Sequence, residues 1–269
     1  MNIRLATILA LSILGGAIKI VGGVLYGSKA LLVDAFTSFG NILAAILIIH
    51  YYQRSLEPPD RDHMFGHYRL TIAGPIYTVV IYSAIFGIVA MELINTAGKT
   101  YIVEEMAPVM AAIGFVVYLI SILLSRGVDI SFKIYSRFTG SELIESVVTI
   151  AASLSGALLS YIIDYIGAII LSLFIVYEVY NSIGNIIGII SDETSREIVM
   201  DIEHELNKLN INIDRIRVRR IIEGIYHGDI VIKMPPDTPL EAAHYIADKI
   251  EDRVKKKYNI DLTIHVEPE

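Results

Sequence analysis

Residues 27–38 read Gly27-Ser28-Lys29-Ala30-Leu31-Leu32-Val33-Asp34-Ala35-Phe36-Thr37-Ser38 and open an apolar segment that continues to about residue 53. Roughly 20 mostly apolar residues are enough for a helix to cross a bilayer. An ionisable side chain inside such a helix is costly unless it is paired or hydrated, and it is therefore a functional candidate. The segment predicts a membrane span that carries Asp34 in its interior.

Five further apolar segments of similar length precede residue 192. The chain has 269 residues, 54% of them hydrophobic, and only 22 of its 51 charged side chains lie before residue 192. So few charges cannot cover an ordinary soluble surface. We therefore predict an α-helical membrane domain over residues 1–191. Its six transmembrane helices are expected near residues 5–26, 30–53, 70–97, 106–125, 141–162 and 166–190.

The orientation of the spans follows from the basic residues in their connections, which collect on the cytoplasmic side. If the six spans alternate, seven basic residues fall on one side and only Lys29 and Lys99 on the other. We predict a multi-pass protein of the cell membrane with both termini in the cytoplasm. The seven residues are Arg4, Arg54, Arg61, Arg69, Arg126, Lys133 and Arg137.

The segment after the last span is charged, with 12 Lys/Arg and 17 Asp/Glu in residues 192–269. Its periodicity indicates the order α-β-β-α-β, which suits helices packed on one small sheet. We predict a small α+β cytoplasmic domain over residues 192–269. Helices are expected over residues 195–209 and 239–258, and strands over residues 213–222, 228–234 and 262–266.

The composition excludes several classes of function. The chain has no Cys, so disulfides, thiol catalysis and Cys-based zinc or iron–sulfur sites are excluded. The net charge of −7 argues against nucleic-acid binding. The spans hold no Ser/Lys dyad or His-Glu-x-x-His pair, and no P-loop is present. We therefore predict neither an enzyme nor a pump driven by nucleotide hydrolysis within this chain.

A short list of ionisable side chains falls inside the predicted spans, and each is a functional candidate because an unpaired charge there is costly. For two of them, Lys19 and Glu92, a second interpretation stays open: the side chain can snorkel or lie near a span end. The candidates are Lys19, Asp34, Glu92, Glu142, Glu145 and Glu178.

Two groups of potential metal ligands lie outside the spans. In the connection after the second span, Asp60, His63 and His67 can converge on one cation, and such nitrogen and oxygen donors suit Zn²⁺ and its transition-metal neighbours. The alternative is a polar loop that meets lipid headgroups. In the last domain, His265 and Glu267 are two apart and share a strand face, and His244 lies on the second helix. The alternative there is surface side chains that happen to be close.

Residues 27–38 resemble the second-span signature of the cation diffusion facilitator family, Gly-Ser-x-Ala-Leu-x-x-Asp-Ala-x-His/Asp-Ser-x-x-Asp. Residues 58–67, Pro-Pro-Asp-Arg-Asp-His-Met-Phe-Gly-His, resemble the family's Pro-Asp-x-x-His-Pro-Tyr-Gly-His loop. Six spans, cytoplasmic termini and an α-β-β-α-β tail are further features of that family. The resemblance implies a homodimeric exporter in the lipid bilayer that exchanges a divalent metal cation (Zn²⁺, Mn²⁺, Fe²⁺, Co²⁺ or Cd²⁺ by member) for protons.

The resemblance also implies a transport site with two ligands from the second span and two from the fifth. The corresponding positions here hold Thr37, Asn41, Phe138 and Glu142, and Asp34 matches a recurring Asp that precedes the ligands. This set has no nitrogen or sulfur donor, so an ordinary Zn²⁺ site is not expected. Three interpretations remain: Glu145 supplies a second carboxylate, the site takes a hard cation such as Mg²⁺ or Mn²⁺ through oxygens, or the site is degenerate.

The other two family sites are better matched. Asp60, His63 and His67 match the second metal site position by position. Three ligands of the cytosolic site match His244, His265 and Glu267, whereas Asp214 stands where a His is common. Another ligand position of the family's cytosolic site holds Lys233 here. The resemblance therefore implies one metal ion in the cytosolic site and not two. Relatives also have a Lys–Asp pair that links spans to tail, and it corresponds to Arg69 and Asp192.

The resulting hypothesis is a divalent metal efflux transporter that alternates between inward and outward states around Glu142. Metal and proton would compete for that carboxylate, which allows one proton per cation unless Glu145 or Asp34 joins. Zn²⁺, Mn²⁺ and Fe²⁺ are the expected metals, with Mg²⁺ possible. The alternative is a transport-deficient membrane sensor or assembly partner that binds metal only in the loop and the tail.

Overall fold

The computed structural model describes residues 3–125, 140–222 and 225–269. Phe138 and the basic residues Arg126, Lys133 and Arg137 lie outside the described residues. The chain divides into two compact units, Met1–Gly66 with Leu70–Gly184 and His67–Arg69 with Asn185–Glu269.

The first unit is built from helices, and six helices in the described residues are long and apolar enough to cross a membrane. The predicted six-span architecture is therefore confirmed. A short 3₁₀ helix, Tyr68–Ile72, precedes the third of them. The six are α1 (Ile3–Leu25), α2 (Lys29–Ser55), α3 (Ala73–Thr96), α4 (Met106–Ser125), α5 (Gly140–Leu158) and α6 (Tyr161–Ile190).

The boundary between the last two spans differs from the prediction, which placed it at residues 163–165. Helix α5 ends at Leu158 and α6 begins at Tyr161. The amide of Ile162 donates to the Ser160 hydroxyl oxygen at 3.3 Å, which helps to start α6. Asp164, which the prediction left between the two spans, belongs to the first turn of α6.

Helix α2 lies at the centre of the membrane unit, in contact with α1, α3 and α5. Its N-terminus is fixed by the fully buried Asp164 carboxylate. One oxygen accepts from the Ser28 hydroxyl at 2.6 Å, and the other accepts from the Lys29 amide at 2.7 Å and the Tyr101 hydroxyl at 3.0 Å. A negative charge at a helix N-terminus is favourable. Asp164 therefore positions the helix that carries Asp34.

The second unit has the predicted order α-β-β-α-β, which confirms the fold class. In the described residues three strands form one sheet in the order β1-β2-β3, with β1 and β2 antiparallel and β2 and β3 parallel. A parallel pair needs a crossover, which α8 supplies. The elements are α7 (Arg196–Asn207), β1 (Asn212–Ile222), β2 (Ile225–Met234), α8 (Leu240–Tyr258) and β3 (Ile260–Pro268).

Both helices of this unit pack on the sheet through one hydrophobic core. Ile202 of α7, Ile230 and Ile232 of β2 and Ile250 of α8 are buried in it. The apolar spacing along α7 and α8 therefore marks the faces that meet the sheet, and it leaves the charged faces to solvent.

We expect Asp164→Ala to lower the stability of the membrane unit by about 1–3 kcal/mol, because buried donors at the start of α2 lose their acceptor. Thermal unfolding of the purified protein in detergent would show this as a lower melting temperature. Glu178→Ala is the matched control, since Glu178 is a half-buried carboxylate on the same helix. Equal melting temperatures for Asp164→Ala and the wild type would contradict the capping role.

Candidate functional site

Helices α2 and α5 bring three carboxylates together in the interior of the membrane unit. Asp34 and Glu142 are 0% exposed and Glu145 is 3% exposed. The Glu145 carboxyl lies within electrostatic range of both others. Three charges of one sign in an apolar interior repel one another and are poorly solvated. The cluster therefore requires positive charge, as protons, a metal ion or a basic side chain.

The uncharged candidates of α2 border the same carboxylates. The Thr37 hydroxyl donates to the Asp34 carbonyl at 2.9 Å and also interacts with the Glu145 carboxyl. The Asn41 side-chain oxygen accepts a hydrogen bond from the Tyr82 hydroxyl. Both residues are 2% exposed. Of the residues assigned to the transmembrane site, all except Phe138, which lies outside the described residues, are thus buried in one region.

Lys19 of α1 is part of this cluster, and the snorkelling interpretation of its side chain is wrong. Lys19 is 0% exposed. Its Nζ lies 2.9 Å from Asp34 Oδ1, 2.9 Å from Ser38 Oγ, 3.0 Å from Ser146 Oγ and 3.5 Å from Glu142 Oε1. A buried ammonium needs such partners because it cannot be hydrated. Lys19 therefore supplies one of the positive charges that the carboxylates require.

Sequence reasoning missed Ser38 and Ser146, although a signal for both was present. Each serine follows a cluster carboxylate by four residues, Ser38 after Asp34 and Ser146 after Glu142. Side chains four apart share a helix face. Each carboxylate and its serine therefore point to the same interior space, where Lys19 joins them.

One oxygen of each cluster carboxylate is left without a hydrogen bond. Asp34 Oδ2, Glu142 Oε2 and Glu145 Oε2 are buried and have no hydrogen-bond partner among the residues that the structure describes. Buried polar atoms are normally paired, and unpaired ones call for an explanation such as an unseen ion or water. Among the described residues, these three carboxylates do not form a group with ligand atoms within 4.8 Å of one another, so a single cation bound by all three would need them to move closer together.

Glu92, the other residue for which snorkelling was considered, lies outside this cluster. Its carboxylate is 2.6 Å from the Lys29 ammonium, and its side chain is 37% exposed. This ion pair is near the C-terminal end of α3, which agrees with the interpretation of Glu92 as a residue close to a span end. Lys29 therefore balances the charge of Glu92, and Glu92 takes no part in the buried cluster.

The loop after α2 brings two of its candidate ligands together within the first unit. His63 Nδ1 lies 3.0 Å from Asp60 Oδ1, whereas His67 belongs to the second unit. Partial desolvation raises the pKa of Asp60, but hydrogen bonds from His63 and the Asp62 amide outweigh it and hold that pKa below its usual range. The carboxylate is thus ionised and preoriented. This geometry suits the predicted loop metal site, which stays a prediction.

The candidate ligands of the second unit do not meet at one point. His265 Nε2 and Glu267 Oε1 lie 3.5 Å apart on β3, whose alternation puts them on one face. His244 Nδ1 instead faces Asp248 Oδ1 within α8, at 3.5 Å. Among the described residues, these side chains are not in a group of three close ligands. The cytoplasmic metal site stays a prediction.

Asp214, the fourth candidate of that site, is engaged by a basic side chain. Lys233 Nζ lies 2.9 Å from Asp214 Oδ1 across the β1–β2 pair. The hydrogen bond and charge of Asp214 raise the pKa of Lys233 above its usual value, so the ammonium stays charged. A metal that used Asp214 would first have to break this ion pair.

Asp192 of the predicted pair Arg69–Asp192 contacts a different arginine in the described residues. The Asp192 carboxylate lies 3.5 Å from the Arg219 guanidinium of β1. Asp192 also has a left-handed backbone conformation, with φ of 54°, directly after α6. An interaction of Asp192 with Arg69 stays a prediction.

The structure combines six helices long and apolar enough to span a membrane, a buried group of carboxylates and a small α+β domain. Residues 5–189 match the cation efflux transmembrane domain, and residues 190–269 match the cytoplasmic domain of cation efflux proteins. The chain belongs to the cation diffusion facilitator family. This is a family of transporters, and its function is the efflux of divalent metal cations.

Individual relatives are distant but match over nearly their full length. The manganese efflux system protein MneS of Bacillus subtilis is 25% identical over 94% of this chain and 90% of its own. The manganese efflux system protein MneP of the same organism is 23% identical over 93% and 90%. The magnetosome protein MamM of Magnetospirillum gryphiswaldense is 24% identical over 97% and 86%.

We expect Lys233→Met to strengthen Zn²⁺ binding by the second unit, by up to about fivefold, because it releases Asp214 from an exposed ion pair. Calorimetric titration of the full-length protein, with His63 and His67 replaced by Ala, would measure this affinity. Lys208→Met, which removes an exposed pair with Glu205, is the control. An unchanged affinity in Lys233→Met would show that Asp214 is not a ligand.

Proposed function

We propose that this protein exports a divalent metal cation from the cytoplasm by proton-coupled antiport, alternating access about the buried carboxylate cluster of α2 and α5. The observation that carries the proposal is the unpaired oxygen on each of Asp34, Glu142 and Glu145. In the proposed bound state the carboxylates close on one cation, which satisfies these oxygens and offsets the repulsion between the carboxylates.

The donor set favours a hard cation, with Mn²⁺ as the first candidate. Carboxylate, hydroxyl and amide oxygens suit Mn²⁺ and Mg²⁺, whereas high-affinity Zn²⁺ sites use imidazole or thiolate. Rotation of the Asn41 amide would keep its contact with Tyr82, with nitrogen donating, and would turn the oxygen toward the cluster. The names of MneS and MneP, manganese efflux proteins, support the same choice.

Proton coupling follows from competition between metal and protons for the same carboxylates. Lys19 contacts Asp34 most closely, which leaves Glu142 and Glu145 as the two groups that exchange a proton for a metal bond. Metal binding requires deprotonated ligands. The site then exchanges up to two protons for one divalent cation, and not the single proton that Glu142 alone would allow.

The assembly we propose is a homodimer in the cell membrane with both termini in the cytoplasm. The cytoplasmic family domain matched by residues 190–269 supports this orientation, as does the excess of basic residues in the connections on that side. Metal bound by His244, His265 and Glu267 would report the cytosolic concentration and bring the two C-terminal domains together. The ligands of such a site can be completed by the partner subunit.

The competing function is a membrane metal sensor that does not transport. Two observations favour it: the Lys19 ammonium already neutralises part of the cluster, and imidazole donors are found in the loop residues His63 and His67. In that case metal would bind in the loop and the C-terminal domain alone. Transport assays separate the two functions.

We expect Glu142→Gln to lower Mn²⁺ uptake into proteoliposomes with an acidic lumen by more than about tenfold, because a ligand and proton carrier is lost. Glu145→Gln should retain uptake but release fewer protons per Mn²⁺. The measurement is initial-rate uptake with a lumenal pH dye. Glu92→Gln is the control, since Glu92 pairs with Lys29 away from the cluster.

Uptake that is equal in the wild type and Glu142→Gln would contradict this mechanism. Absence of uptake for any divalent metal, together with binding that depends on His63 and His67, would establish the sensor instead.

A further inference from the structure

The Lys19 ammonium lies between the two helices that carry the cluster carboxylates. Its Nζ is within 3.5 Å of oxygens of Asp34 and Ser38 on α2 and of Glu142 and Ser146 on α5. An amine surrounded by four oxygens from two helices resembles a bound cation in its coordination. It differs from a free ion in that the α1 backbone tethers it.

The ammonium is fully coordinated by these contacts. Lys has three N–H donors, and three short contacts, with Asp34, Ser38 and Ser146, account for them. The contact with Glu142 is longer, at 3.5 Å. Lys19 therefore depends most on Asp34 and least on Glu142.

Neighbouring residues accommodate both the aliphatic stem and the ammonium group of Lys19. The Tyr118 ring, itself 0% exposed, lies with its centroid 4.6 Å from Nζ and adds a cation–π contact. A Cβ at Gly114 of α4 would come within 2.9 Å of Lys19 Cγ, so glycine leaves the space that the stem fills. The surrounding residues thus hold the Lys19 side chain in the orientation that brings its ammonium to the carboxylates.

One ammonium and one divalent ion together would balance the charges of three ionised carboxylates. Ionised Asp34, Glu142 and Glu145 with Lys19 sum to −2. A divalent cation makes this buried group neutral without removing the lysine from the membrane. Neutrality matters because uncompensated charge in an apolar interior is costly.

We propose that Lys19 is a tethered cation that bridges Asp34 and Glu142 while no metal is bound, and that the substrate cation enters by breaking the Lys19–Glu142 contact. The ammonium then stays with Asp34 and the Tyr118 ring. Lys19 weakens metal binding by electrostatic repulsion and thereby sets the affinity of the site. This inference rests on the proposed function, since it needs the metal to bind at Glu142.

The test is Mn²⁺ binding by full-length protein in which the other candidate sites are removed. Lys19→Met is expected to lower the Kd for Mn²⁺ by about tenfold or more, because a positive charge next to the metal is lost. Lys29→Met, which removes a lysine paired with Glu92, should leave it unchanged. The background substitutions are His63→Ala, His67→Ala, His244→Ala and His265→Ala.

A second variant guards against misfolding of Lys19→Met. Lys19→Met combined with Asp34→Asn removes the ion pair as a unit and keeps the charge of the cluster at −2, so it should fold and should bind Mn²⁺ more tightly than Asp34→Asn alone, in which the Lys19 charge remains. A purely structural role of Lys19 would weaken binding in both variants. Unchanged or weaker binding in both would overturn the inference.

Failure of the inference is distinguishable from failure of the proposed function. Mn²⁺ binding that is lost in Glu142→Gln but unaffected by the Lys19 variants overturns the role of Lys19 alone. Absence of Mn²⁺ binding in the background protein and in all variants overturns both. Binding that emerges only when Lys19 is removed supports the tethered-cation role directly.

Chemical complementation adds a readout that packing defects would not produce. In Lys19→Ala the space of the ammonium is vacated, and methylammonium should compete with Mn²⁺ there. The background protein and Lys29→Ala should show no such competition. Lack of competition in Lys19→Ala would contradict the proposal.

Discussion

The ion pair between Lys19 and Asp34, at 2.9 Å and without solvent exposure, is the contact on which the rest of the membrane unit depends. Neither charge is tolerable alone in an apolar interior, because the loss of hydration would not be offset. The pair therefore joins α1 to α2, and Ser146 and Glu142 extend the contact to α5. A buried ion pair is weak evidence for added stability, but it specifies strongly which helix faces meet.

The same constraint decides what the interior can bind. Three ionised carboxylates and a single ammonium have a net negative charge, so further positive charge is favoured there. The unpaired oxygens of Glu142 and Glu145 are the atoms that can contact it. Because these ligands are oxygens, hard and partly hydrated cations are favoured over those that seek nitrogen or sulfur. The membrane cluster and the histidine-containing loop thus differ in chemistry, and the two need not prefer the same metal.

The six spans and the α-β-β-α-β order could be predicted from sequence because both depend on composition and local periodicity. The end of α5 could not, because small polar residues such as Ser153, Ser155 and Ser160 recur along this apolar stretch and none of them marks a helix end by itself. The role of Lys19 could not be predicted from sequence either. Its position within α1 does not show which neighbouring helix the side chain faces. Glu142 and Glu145 were both found as ionisable residues of a predicted span, and the resemblance assigned Glu142 to the transport site; a shared role for Glu145 stays a prediction.

The central claim is that the substrate cation binds at the carboxylate cluster and not only in the loop or the C-terminal domain. Its most direct test is a crystal structure with bound Mn²⁺, with the ion located by anomalous scattering. We expect an anomalous peak in contact with the Glu142 carboxylate and a Lys19 ammonium that has moved away from it. Peaks confined to the loop residues around His63 and to the C-terminal domain would contradict it.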